Sequence, residues 1–148
     1  MDEVRVLGIE IGGTKLQLGI GHGQGSLIAL ERLRVDPSRG APAILDQIQA
    51  AYPILLDRAN VARHQIQAVG VGFGGPVDAP RGRTQTSYQV GGWDDFPLAS
   101  WIADHLGVPR VVVENDSDSA GLAEGQCKFT FASDRLDCPR LPARKPVN

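Results

Sequence analysis

Two runs of strand-forming residues, "VRVLGIEI" at 4–11 and "LQLGI" at 16–20, are separated only by Gly12-Gly13-Thr14-Lys15. So short a link between two β-patterned runs admits little other than an antiparallel hairpin. A second glycine-rich turn, "GHGQG" at 21–25, leads into "SLIALERLRV" at 26–35, which reads as a returning third strand. The chain therefore opens as a three-stranded antiparallel meander.

Beyond the connector "DPSRGAP" at 36–42 the period changes. Ile44, Leu45, Ile48, Tyr52, Leu55, Leu56 and Ala59 recur at helical spacing, with Pro42 suited to the first turn and Pro53 expected to kink the helix. "IQAVGVGF" at 66–73 reads as a buried strand, and residues 74–96 as a loop-rich excursion punctuated by Gly and Pro. A short helix is predicted over 97–106, opened by Pro97 and closed by Gly107. "RVVVE" at 110–114 is a further buried strand, and "NDSDSAGLAEG" at 115–125 carries good capping residues for a third helix. The order β-β-β-α-β-α-β-α describes an α/β domain with a mixed sheet, in which later strands add parallel to the first. Ligands of such sheets bind at the carboxyl ends of the strands. The turn at 12–15, the loop from 74 and the residues from 115 all fall there.

From residue 126 the pattern is lost. "QCKFTFASDRLDCPRLPARKPVN" holds neither period 2 nor period 3.6, and three prolines interrupt it. It is expected to be a disordered tail, with "FTF" too short to make a strand. Cys127 and Cys138 have the spacing of neither a disulfide framework nor a zinc site, and all three histidines lie upstream of both.

With 148 residues, 42% of them hydrophobic and a formal net charge of −2, the chain has the size and balance of one globular domain. That mild acidity argues against a nucleic-acid partner, which calls for a basic excess. No apolar run approaches the ~20 residues of a membrane helix. The first residues enter a strand pattern at once, without a signal peptide, so a cytoplasmic location is expected.

Four short motifs bear on chemistry, each with a plain structural reading beside it. Gly70, Gly72 and Gly75 match the dinucleotide fingerprint G-x-G-x-x-G. The fingerprint needs a helix to start at once, and Pro76 and Pro80 follow instead. At the opening turn, Gly12 and Gly13 allow backbone N–H groups close to an anion, while Thr14 adds a hydroxyl and Lys15 a cation. Glu10, alternating with Ile9 and Ile11, could point toward a metal-bound water there. The plain reading is a solvated hairpin. In "VVVENDSDSAG", Asp116 at a helix start would be held ionised and could accept a proton from a substrate hydroxyl; the plain reading is helix capping. In "GFGGPVD", the Gly74-Gly75-Pro76 turn exposes backbone to sugar hydroxyls or is simply a turn, with Asp78 a structural turn acid. Trp93 and Trp101 could stack on a sugar, although Trp101 lies in an apolar helical pattern that favours the core. His22, His64 and His105 have no ligand-like spacing.

In order and spacing, "GIEIGGTK", "VGVGFGGPVD" and "GGWDDFPLASWIADHLGVPRVVVENDSDSAGLAE" together resemble the N-terminal domain of the ROK family (repressors, open reading frames and sugar kinases). The resemblance covers about residues 4–125. It implies the actin-like, hexokinase-like (ribonuclease H-like) ATPase fold, and phosphorylation of a hexose by ATP with Mg²⁺. It makes Glu10, Gly12, Gly13, Thr14 and Lys15 the phosphate-facing group, Asp116 the catalytic base, and Asn115, Asp116 and the backbone around Gly75 the sugar contacts. Glu10 stands where most members carry Asp, and "QVGGWDDF" lacks the Asn that many place shortly before the Trp. Residues past 125 match nothing in the family. Its second-domain phosphate, adenosine and sugar-binding motifs and its cysteine-rich zinc motif are missing, as in a chain truncated or frame-shifted near 126. Two rival readings are a non-catalytic remnant and a sugar-sensing transcriptional regulator. The second requires a helix-turn-helix ahead of the first strand.

Overall fold

A computed structural model of the chain describes residues 4–23 and 26–115, together with the backbone of two short strands at 128–130 and 135–137. The opening meander is present as β1 (Arg5–Ile11), β2 (Lys15–His22) and β3 (Leu27–Arg34). β2 is antiparallel to both its neighbours. It continues through Gly21 and His22, two residues that composition alone assigns to the turn, because the Arg5↔His22 pair extends the ladder to the end of β1.

Helix α1 (Gly40–Ala59) follows, and six of the seven residues of its predicted stripe are buried: Ile44, Leu45, Ile48, Tyr52, Leu55 and Leu56. The helix runs on through Pro53. The ring removes the N–H that would bond the Gln49 carbonyl, and both Gln49 and Pro53 lie on the exposed side, where water can meet the freed oxygen. β4 (Ile66–Phe73) is followed by a two-residue hairpin, β5 (Val77–Asp78) with β6 (Arg83–Thr84), and not by a helix. The glycine fingerprint at 70–75 is therefore coincidental. Helix α2 (Leu98–Leu106) and strand β7 (Val111–Asn115) complete the domain, β7 ending one residue later than the strand expected over 110–114.

The sheet order is β3-β2-β1-β4-β7. β4 is parallel to β1, and β7 is parallel to β4, so three strands end on one edge. Their register is even: Ile11, Phe73 and Asn115 form the last row, and Glu10, Gly72 and Glu114 the row before it. Side chains alternate between faces along each strand. One face carries Leu7, Ile9, Ile11, Val69, Val71, Phe73 and Val113, all buried in a single core with the apolar stripes of α1 and α2. Glu10, Gly72 and Glu114 lie on the other face.

Two expectations need correction. Phe129 and Thr130 belong to a strand, β8 (Lys128–Thr130), paired antiparallel with β9 (Arg135–Asp137). Three residues suffice once a partner strand supplies the ladder bonds. Trp93, one candidate to stack on a sugar, is sealed in the core at 1% exposure, whereas Trp101 is partly buried and packs against the core as its helical pattern suggests. Phe73 and Phe96 both meet Trp93 edge to face, at centroid distances of 5.2 and 5.5 Å. An otherwise unpatterned loop thus hangs on this cluster, each pair contributing about 0.5–1.5 kcal/mol beyond burial. Trp101 instead stacks on His105, one turn along α2, at 4.2 Å.

Candidate active site

The turn between β1 and β2 is closed by the Gly12 N–H, which donates to the Lys15 carbonyl at 2.9 Å. That amide is spent on the hairpin itself and is not left over for another acceptor. The turn is stitched on both sides. Val35 N–H donates to the Thr14 carbonyl, and Gly74 N–H donates to the Ile11 carbonyl, each at 2.9 Å. The second bond joins the loop that leaves β4 to the base of the glycine turn. Lys15 is exposed at the start of β2.

Glu10 stands one residue before the end of β1, half-buried, opposite Gln17 on β2 and Gly72 on β4. Gly72 has no side chain, so nothing from β4 fills the space beside the carboxylate. Burial raises the Glu10 carboxyl above its ordinary value, and the nearby Lys15 cation pulls it partly back. A carboxylate in such a place is short of solvent and would gain from a cation or a metal-bound water.

At the far end of the same edge, the Asn115 side-chain amide donates to the Gly75 carbonyl. The two sugar contacts expected from the sequence are therefore brought together. Gly75 is buried, and a Cβ placed on it would lie 2.6 Å from the Thr86 carbonyl oxygen, so only glycine fits. Asp78 is a turn acid, accepting from Arg81 N–H at 3.3 Å. Asn115, where a helix is expected to start, instead ends β7; Asp116 and the rest of that expected helix lie outside the described residues, as do both cysteines.

Two residues of the 74–96 excursion to which the motifs give no role organise the site. Thr84 is 1% exposed; its hydroxyl donates to the Trp93 carbonyl and accepts from Phe96 N–H at 3.3 Å. Gln89 reaches back across the sheet edge and lies on Gly13. A patterned approach finds neither, because both contacts depend on how the loop closes in space.

The sequence pattern of the ROK family matches residues 6–132. This chain belongs to the ROK family. The match runs past residue 125, where the resemblance in the motifs ends. A glucokinase of Streptomyces coelicolor is 34% identical over 124 residues, covering 83% of this chain and 35% of that protein. The solved ROK family glucokinase of Streptomyces griseus, in complex with glucose and AMPPNP, superposes with a TM-score of 0.64 at 28% identity, over 79% of this chain and 35% of that one. A ROK family transcriptional regulator shares the fold with a TM-score of 0.68 at 15% identity, over 80% of this chain and 29% of that one. The ROK chain thus has the actin-like, hexokinase-like fold, and it spans about a third of the length of these relatives. Among the described residues no helix is long and apolar enough to cross a membrane.

Proposed function

We propose that this ROK chain supplies one wall of a sugar kinase active site, for transfer of the ATP γ-phosphoryl group to a hexose hydroxyl. The observation that carries the reading is the shared edge. Ile11, Phe73 and Asn115 end three parallel strands in one register row, and the turns beyond them are tied together through Gly74 and Gly75. Adjacent strands lie about 4.8 Å apart, so the glycine turn and Asn115 are roughly 10 Å apart, the span of a sugar beside a phosphate. The likeness to a glucokinase that binds glucose and AMPPNP supports the same assignment.

Each residue has a distinct task. Gly13, Thr14 and Lys15 offer backbone, hydroxyl and cation to the nucleotide phosphates. The half-buried Glu10 carboxylate, an oxygen donor short of solvent, fits a hydrated Mg²⁺, a hard cation that keeps most of its waters. Mg²⁺, when bound, neutralises phosphate charge as the γ-phosphoryl group leaves. Asn115 and the Gly75 backbone orient the hexose. Asp116, next in sequence, takes the proton from the attacking hydroxyl.

Kinases of this fold enclose ATP and sugar between two domains, and closure completes the site. The 148-residue chain alone is therefore expected not to turn over, whereas joined to a family second domain it should release ADP in a sugar-dependent way. In that longer protein, Asp116→Asn should lower kcat at least ~10²-fold, the low end for loss of a general base, with folding intact. A variant retaining more than half of the parent kcat would remove Asp116 from the chemistry. Hexose-dependent ADP release by the short chain within tenfold of the long one would overturn the one-wall reading.

A further inference from the structure

Gly13 has a neighbour that the phosphate-turn reading leaves unused. A Cβ built on Gly13 would sit 1.6 Å from Gln89 Oε1, 2.6 Å from its Cδ and 3.1 Å from its Cβ. The Gln89 side chain therefore lies directly on the α-carbon of the glycine turn. Its backbone is fixed from several sides. The Ser87 hydroxyl accepts from Gln89 N–H at 3.4 Å and from Val90 N–H at 3.2 Å. Val90 is 2% exposed, and the Gly91 carbonyl accepts from Ala41 N–H at 2.8 Å, at the start of α1. Gln89 itself stays exposed to solvent on its outer side.

We propose that Gln89 is a phosphate-contacting residue, whose carboxamide closes the Gly13 side of the turn and donates an Nε2 hydrogen to an oxygen of the anion held there. The proposal rests on the kinase reading above and deepens it by naming a further ligand of the same site. Three properties of the side chain support it. A carboxamide presents a donor pair and an acceptor at equivalent ends, so a half-turn about its last bond replaces Oε1 with Nε2 at no cost in shape. It is neutral and adds no repulsion toward a polyphosphate. And it fills the turn from which the Gly12 N–H has been withdrawn to the Lys15 carbonyl, supplying a donor where the backbone has one fewer to offer. Gln89 also belongs to the same excursion as Gly75, so it links the hexose-facing turn to the phosphate-facing one.

The test uses the isotope-labelled 148-residue chain and inorganic tripolyphosphate as the probe, followed by the backbone amide shifts of Gly13 and Thr14. In the wild-type chain both amides should shift saturably. Gln89→Ala should raise the dissociation constant at least threefold. Gln89→Glu, which keeps the size and places a carboxylate on the turn, should raise it at least tenfold. Melting temperature and the amide spectrum away from 12–15 and 86–92 should stay unchanged in both variants, as a purely structural role would not allow. Saturable wild-type binding that is unchanged or tighter in Gln89→Ala, or unchanged in Gln89→Glu, overturns the role of Gln89 and leaves the phosphate turn standing. No saturable response of Gly13 and Thr14 in the wild-type chain overturns the phosphate turn, and the role of Gln89 with it.

Discussion

The Asn115 side-chain amide donates to the Gly75 carbonyl, tying the last residue of β7 to the turn that follows β4. β4 and β7 are already paired in parallel up to Phe73↔Asn115. The hydrogen bond carries that pairing one step further, into a segment with no ladder of its own. Asn115→Ala should therefore loosen the turn and lower stability by about 1–2 kcal/mol, the cost of leaving a partly buried carbonyl without its donor. Asn115→Asp should cost more at neutral pH, because a carboxylate would face the carbonyl oxygen. Urea titration of the two variants against the parent checks both the loss and its order.

Gly75 and Gly91 lie in the same excursion and should respond oppositely to a methyl group. At Gly75 the added carbon meets the Thr86 carbonyl at 2.6 Å and Phe73 Cε1 at 3.0 Å; at Gly91 it meets nothing within 4 Å. Backbone against backbone cannot give way cheaply. Gly75→Ala should be destabilising by about 1–3 kcal/mol, in the range of overpacking a tight site. Gly91→Ala should be neutral, or stabilising by up to about 1 kcal/mol, because alanine leaves the unfolded chain less freedom to lose. Thermal melting of the pair separates the two. Equal losses at both positions would mean that Thr86 is not the obstacle.

The meander, both helices and the parallel strands are legible in the sequence because each rests on a local period bounded by glycine or proline. Ile44 to Leu56 repeat at helical spacing, and "IQAVGVGF" is apolar but for Gln67, with Val69, Val71 and Phe73 alternating into the core. The edge on which the site is built follows from strand order alone. What the sequence does not show lies in the excursion between β4 and α2. Trp93 sits among glycines with no period to declare it buried, whereas the helical pattern that places Trp101 against the core is borne out. The Gly13–Gln89 contact joins two residues far apart in the chain, and nothing local to either announces the other. Nor does "GGTK" reveal that the Gly12 N–H closes its own hairpin, since that depends on how the turn is wound. The family motifs name residues at the edge; the geometry shows which of them are held together.

Glu10 gives a prediction whose sign can be worked out from its surroundings. Burial is the larger influence on its carboxyl and raises the folded-state pKa, with Lys15 opposing in part. An acid whose pKa is higher folded than unfolded binds more protons in the folded state. Its contribution to stability is then fully present below the ordinary carboxylate value and is lost as pH rises through the folded one. At neutral pH the ionised side chain is a net cost, kept at a position where a cation or a metal-bound water would offset it. Glu10→Gln removes the titration while preserving size. It should therefore be at least as stable as the parent at pH 7, and lose that advantage as the pH falls below the ordinary value of 4.5. The measurement is the difference in urea midpoint between variant and parent across this range, with no divalent ion present. A difference independent of pH would show that the carboxylate is not desolvated in the folded chain. Repeating the comparison with Mg²⁺ and tripolyphosphate then asks whether the cost is kept for a purpose. Added ligand should stabilise the parent more than Glu10→Gln, by mass action on the folded state alone. Equal stabilisation of the two would remove Glu10 from the phosphate-facing group.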